Sequence, residues 1–275
     1  MSDLVYAHGG NLQSKIEKNY KGLDSILLEW EQNHYRPWRQ RSKALAVVNR
    51  QDEATGLTRA QVDALTDAME RYLNALRGFV SAGPGKKITS QSGFESTVLE
   101  EFCTFLFATL PAVADDPSLV CANKRVFMGM FVKADGVVKF TTKDSDFCIA
   151  RRVEAAVGED NRKLLVPILT VECKTSYVDK TMLSSLMESA RTAKQGTLGV
   201  RCYVLAETKQ FDMSLHNSAI DEVFVLKHRK EDPFCRRTIW EFYEELRVVI
   251  QEAGNQQAVT TPGRLVQPGF RHPDR

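Results

Sequence analysis

Glu172 and Lys174 stand two residues apart in the run LLVPILTVECKTS, residues 164–176. The run reads as a buried strand, apolar on both faces until these two appear. A strand repeats every second residue, so both side chains fall on one face. A charge on a buried strand is costly unless it has a partner or a task. Upstream, Lys143-Asp144-Ser145-Asp146-Phe147-Cys148-Ile149 passes from polar to apolar at Asp146. A neighbouring strand in the same sheet would bring the Asp146 carboxylate close to Glu172. Two carboxylates converging on one point repel unless a cation lies between them. Oxygen ligands without histidine select a hard cation such as Mg²⁺. Lys174 is then placed to orient or deprotonate a water. Asp144 is a rival ligand to Asp146, and spacing does not choose between them.

A plain salt bridge at a strand end explains Glu-x-Lys equally well on spacing alone. The chain has a second such tripeptide, Glu207-Thr208-Lys209, which lacks an acid-bearing strand in the matching place upstream. Glu95 is a third candidate acid. It lines up with Leu99, Phe102 and Leu106 on a helix stripe that otherwise faces the core. Ser92-Gly93-Phe94-Glu95 also fits a capping box, and a capping glutamate can still reach a metal.

Other chemistries are excluded by what the chain lacks. Six cysteines form no C-x-x-C pair, lie mostly in apolar segments and read as reduced thiols, and the five histidines are scattered. Gly83-Pro84-Gly85-Lys86-Lys87 has Val80 where a phosphate loop needs its first glycine and Lys87 where it needs Ser or Thr. There is no Gly-x-Ser-x-Gly elbow. Hydrophobic residues make up 43% and charged residues 26%, as in an ordinary globular protein. No apolar run is long enough for a membrane helix, and the N-terminus carries no secretory pattern. The expected location is the cytoplasm. Net charge is only +2, so a polyanionic partner must be met by local patches.

The elements follow from periodicity. Helices are predicted over 11–33 and 58–80, the latter capped by Thr58. Residues 81–93, rich in Gly, Pro and small polar types, read as a linker. A helix over 94–110 is ended by Pro111. Strands are predicted at 124–132 and 136–150, joined at Ala134-Asp135-Gly136. The run at 164–176 is the next strand. A helix over 179–195 is capped by Asp179, strands follow at 199–207 and 222–228, and a last helix covers 236–252. This gives an α/β (α+β) chain: residues 1–85 as a helical region, 86–253 as a core with a mixed sheet flanked by helices, and 254–275 as a flexible tail.

The glutamate-bearing helix FES…EEF, the strand KDSDFCIARR and the segment VECKTSYVDKTM together resemble the PD-(D/E)XK nucleases over about residues 92–208. Ser145 stands where that pattern has proline, a position that varies in the family. In detail the segments resemble subunits of asymmetric, two-subunit (Type IIT) restriction endonucleases. The resemblance implies Mg²⁺-dependent hydrolysis of duplex DNA, one strand per chain, leaving 5′-phosphate and 3′-hydroxyl ends. Carried over residue by residue, Asp146 and Glu172 bind the metal with the Cys173 carbonyl as a further ligand. Lys174 positions the attacking water, and Glu95 supports the site. A double-strand break then needs a second subunit, and an asymmetric target suits a non-identical one.

Under that reading the stretch 34–50, with five Lys or Arg and no acid, is the DNA-binding candidate, and 1–85 the recognition region. Arg36, Arg39, Arg41 and Lys43 are suited to phosphates or guanine edges, and Tyr35 and Trp38 to sugars or base steps. The alternative is a solvated basic face with both aromatics buried. Lys227-His228-Arg229-Lys230 with Arg236-Arg237, and Lys86-Lys87, are lesser patches. Two rival functions are a non-catalytic DNA-binding or assembly subunit and a structure-specific repair nuclease.

Overall fold

The computed structural model describes residues 6–49, 55–81, 83–88, 93–123, 125–134, 137–157, 160–212, 215, 218–253 and 264–266. Its spine is β5 (Asp160–Val178), the strand of the Glu172–Lys174 pair. β4 (Phe147–Val157) runs antiparallel to it, with Phe147 opposite Val171. β6 (Arg201–Lys209) lies on the other side and runs parallel, with Glu172 opposite Val204. A parallel neighbour requires a crossover, supplied by α7 (Lys180–Gly196); the Asp179 carboxylate caps that helix by accepting the Met182 N–H at 2.7 Å. β1 (Leu119–Ala122), β7 (Glu222–Val225) and β8 (Arg264–Val266) complete a six-stranded mixed sheet in the order β1-β4-β5-β6-β7-β8. β2 (Arg125–Val132) and β3 (Val138–Asp144) form a separate two-stranded ribbon.

α7 covers one face of the sheet, with Leu183, Leu186, Ala190 and Ala193 packed with Val204, Ala206, Val223 and Val225. The other face carries α5 (Ser96–Phe107), α8 (Arg236–Glu252) and the helical region. That region comprises α1 (Ala7–Glu17), α2 (Asp24–Trp30), a π turn (Glu31–Tyr35), α3 (Arg36–Leu45) and α4 (Arg59–Ser81). Thr58 and Gln61 cap α4 reciprocally: the Thr58 N–H donates to Gln61 at 2.9 Å, and the Gln61 N–H to the Thr58 hydroxyl at 3.3 Å. Residues from Leu12 through Leu76 share one buried cluster with Phe147, Val171, Tyr203 and Phe242. The helices of 1–85 therefore complete the core of the sheet.

Several boundaries differ from the sequence expectation. The helix expected over 11–33 is broken after Glu17, where Asn19, Lys21 and Gly22 take left-handed backbone. Pro111 opens a short helix, α6 (Pro111–Ala114), because its missing N–H is harmless at a first turn. The expected strand 136–150 is two strands in two sheets. The turn of the ribbon at residues 135–136 lies outside the described residues, but β2 and β3 pair as expected. In the tail, 264–266 adds to the sheet edge beside β7, and its other residues, 254–263 and 267–275, lie outside those described. Among the described residues no helix is long and apolar enough to cross a membrane.

Candidate active site

β4 and β5 part company at Phe147–Val171, and the site is built where they do. Asp146 precedes β4 and points its carboxylate across to β5. There it accepts the Cys173 N–H at 2.8 Å and the Lys174 ammonium at 3.0 Å. Lys174 also reaches Glu172 at 3.4 Å, as expected for residues two apart on one strand face. Glu172 takes a second ammonium, Lys143 of β3, at 3.2 Å, and Lys143 in turn donates to Ser189 of α7 at 2.5 Å. Burial alone would lower the Lys174 pKa, but the carboxylates of Asp146 and Glu172 more than offset it and raise it above the ordinary value. Lys174 is thus an ammonium at neutral pH, suited to orient a water or stabilise negative charge and unsuited to deprotonating the water itself. The rival acid, Asp144, turns outward to exposed Arg125 at 3.4 Å.

A cleft of about 420 Å³ opens beside these residues, lined by Glu95, Glu100, Asp146, Cys173, Lys174 and their neighbours. Glu172 lies on a different, smaller cavity with Lys143 and Ser189, joined to the cleft residues through Lys174. Glu95 stands at the N-terminal end of α5 without a side-chain cap bond. Its carboxylate accepts from Arg77 of α4 at 3.2 Å. Ser92, the other half of the expected capping box, lies outside the described residues.

Glu100 is the acid that the sequence reading passed over. It sits one turn further along α5, buried, with its pKa pushed up to about 8 by burial and then by the Asp146 carboxylate. Its signal was present: Glu100 and Glu101 interrupt an otherwise apolar helix. The two point to different neighbours. Glu101 accepts the Gly9 N–H at 2.9 Å and the Tyr35 hydroxyl at 3.0 Å in the helical region, whereas Glu100 lines the cleft.

The donors here are carboxylates and backbone, a set that suits a hard cation. Burial, and after it the Asp146 carboxylate, disfavour the charged form of Glu100, which a cation in the cleft would favour. Among the described residues, no three His, Cys, Asp or Glu side chains are gathered tightly enough to hold an ion as they stand. The ammonium groups of Lys143 and Lys174 take up that charge instead.

The basic stretch divides by burial. Trp38 is inside, stacked on Tyr72 at 4.4 Å with the rings 5° from parallel, and Tyr35 is buried beside it. Trp38 is therefore a core residue and presents no ring to a ligand, because its helix faces α4 on that side. Arg36, Arg41 and Lys43 are exposed; Arg36 pairs with Glu31 at 3.0 Å, and Lys43 and the half-buried Arg39 lie over the Tyr6 ring. Of the lesser patches, Lys227 is buried on Glu207 at 3.0 Å, and Arg236 and Arg237 pair with Asp67 and Glu241.

The model of the Bpu10I restriction endonuclease family matches residues 91–254, a span that holds every member of this cluster. The chain belongs to that family. It is a type II restriction endonuclease chain. Among solved structures, a chain described as "native BbvCI A2B2 tetramer at low resolution" matches with a TM-score of 0.68 at 17% identity, covering 93% of this chain and 99% of that one. The likeness establishes the restriction-endonuclease-like fold, and it extends beyond the family span into the helical region. The narrower sequence resemblance is to the smaller BbvCI subunit, and the match bears out a relation to BbvCI without naming the subunit. No curated protein matches the chain.

Proposed function

We propose that this chain is the Mg²⁺-dependent catalytic subunit of a site-specific DNA endonuclease. It hydrolyses one strand of a duplex target to leave 5′-phosphate and 3′-hydroxyl ends, and pairs with a second, non-identical subunit for the double-strand break. The supporting observation is the convergence of Asp146, Glu172 and Lys174 at the point where β4 and β5 separate, beside an acid-lined cleft. Asp146 and Glu172 would hold the metal, with the Cys173 carbonyl, and Glu100 and Glu95 of the cleft that Asp146 lines, as further oxygen donors. When bound, such an ion neutralises phosphate charge and lowers the pKa of a bound water. Lys174 orients the attacking water and adds positive charge where negative charge grows on the phosphate. The exposed Arg36, Arg41 and Lys43, with Arg39, are proposed to neutralise phosphates. A cytoplasmic location fits such an enzyme.

The test is cleavage of supercoiled plasmid by the chain purified with whatever subunit accompanies it. With Mg²⁺, discrete nicked or linear products are expected. They should disappear with EDTA and in Glu172→Ala. Equal cutting by Glu172→Ala would refute the assignment, and no cutting by a verified complex on several plasmids would favour a non-catalytic subunit.

A further inference from the structure

Arg77 lies on α4, fourteen residues before the family-matched span begins at 91, yet its guanidinium partners all lie inside that span. Its Nε donates to Glu95 at the rim of the cleft at 3.2 Å. Nη1 donates to Glu207 of β6 at 2.8 Å, and Nη2 donates to the other Glu207 oxygen. Nη2 also donates to the Thr175 carbonyl at 2.8 Å. Thr175 directly follows Lys174. At this point the β5–β6 register slips: Lys174 pairs with Ala206 and Tyr177 with Thr208, so Thr175 and Ser176 bulge opposite Glu207. A bulge leaves backbone groups out of the ladder. Arg77 takes the carbonyl on one side of it, and the Thr208 hydroxyl donates to the Ser176 carbonyl at 2.8 Å on the other. A guanidinium fork can make all these bonds at once, and a lysine ammonium on the same stem cannot.

We propose that Arg77 is a positioning residue for cleavage: it pins the bulge after Lys174 and the Glu95 carboxylate to the helical region, and so couples the part that engages DNA to the strand that cuts it. The coupling rests on the nuclease reading of the cleft. A displacement of a reacting group by about 1 Å can lower a rate about a hundredfold, so the loss of the fork should appear in the chemical step.

The experiment uses the chain with its accompanying subunit, and measures single-turnover cleavage at saturating DNA with Mg²⁺ and DNA affinity with Ca²⁺. Arg77→Lys is expected to cut at least about tenfold more slowly while binding DNA within twofold of wild type, with faster hydrogen exchange at the amides of residues 174–177. A purely structural role would lower the melting midpoint but leave the rate of the folded enzyme unchanged, and would overturn the proposal, as would unchanged exchange at the bulge. If Arg77→Lys does not fold, Thr208→Val tests the same bulge from its other side: a smaller rate loss with intact binding supports the proposal, and an unchanged rate overturns it. A wild-type complex that cuts no DNA fails the nuclease reading itself and the proposal with it, whereas Arg77→Lys cutting as fast as wild type fails the Arg77 assignment alone.

Discussion

The chain carries Glu-x-Lys twice, on adjacent parallel strands, and folding makes different things of the two. Glu207 is almost fully buried, and both its oxygens are taken by Arg77 with Lys227 added at 3.0 Å. Its companion Lys209 turns to the exposed Asp212. The tripeptide there is a structural clamp. In Glu172-Cys173-Lys174 the lysine stays with the glutamate and is shared with Asp146, while both acids remain part-exposed, Asp146 on the cleft and Glu172 on the smaller cavity next to it. Spacing is common to both. What separates them is burial: the Glu207 charge is sealed in by its partners, whereas Asp146 and Glu172, though paired with Lys174 and Lys143, stay part-exposed where something else can join them.

Four substitutions would break or sharpen that contrast. Glu172→Ala should reduce cleavage by about a thousandfold or more, in line with the loss of a principal group stabilising transition-state charge. It should leave the denaturation midpoint near wild type, because Glu172 supports no core. Comparable cutting by wild type and variant would erase the distinction. Glu207→Ala should do the reverse in kind: it strands Arg77 and the buried Lys227 and should destabilise the fold by about 3–5 kcal/mol, measured by urea denaturation. A Glu207→Ala protein as stable as wild type would mean that the clamp carries no load.

Glu100→Gln should sharpen the picture through pH. The carboxyl titrates near 4.5 when unfolded and about 8 when folded, so between those values the folded state holds the extra proton. Stability then falls as pH rises through this window. The urea midpoint of Glu100→Gln should therefore gain on wild type from pH 5 to pH 9, and a constant difference would remove Glu100 from the charged cluster. Smallest is Lys209→Ala, which should leave both cleavage and the melting curve unchanged, since it deletes only one member of an exposed pair.

Much of this was legible in the residues. The α/β order, the α7 cap at Asp179 and the Asp146–Glu172–Lys174 grouping all follow from periodicity and from charges placed on apolar strands. The rest depends on contacts distant in sequence. The break between Asp144 and Phe147 has only a weak local mark, the polar run Asp144-Ser145-Asp146, with neither Gly nor Pro after residue 136; the separate pairing of β3 with β2 and of β4 with β5 is what divides it. Trp38 reads as a surface aromatic among arginines until Tyr72, on the next helix, supplies a ring for it to stack on. Glu95 and Glu100 stand five positions apart at the start of α5 and within it, and only the folded contacts separate them: Glu95 turns to Arg77, while Glu100 is buried and feels the Asp146 carboxylate. Arg77 carried no signal at all: its partners are 18, 98 and 130 residues away.

The parting of β4 from β5 has a further consequence. Beyond Val171, no strand among the described residues continues the ladder on the β4 side of β5, and this stretch is in effect a short sheet edge in the middle of the molecule. Bare edges invite strand addition from other chains. Here the Cys173 N–H is already held by a side chain, Asp146, which offers no continuing ladder to an incoming strand. The same carboxylate that is proposed to serve the chemistry therefore also closes the edge that makes room for it, and a variant lacking it would lose a safeguard against aggregation along with its activity.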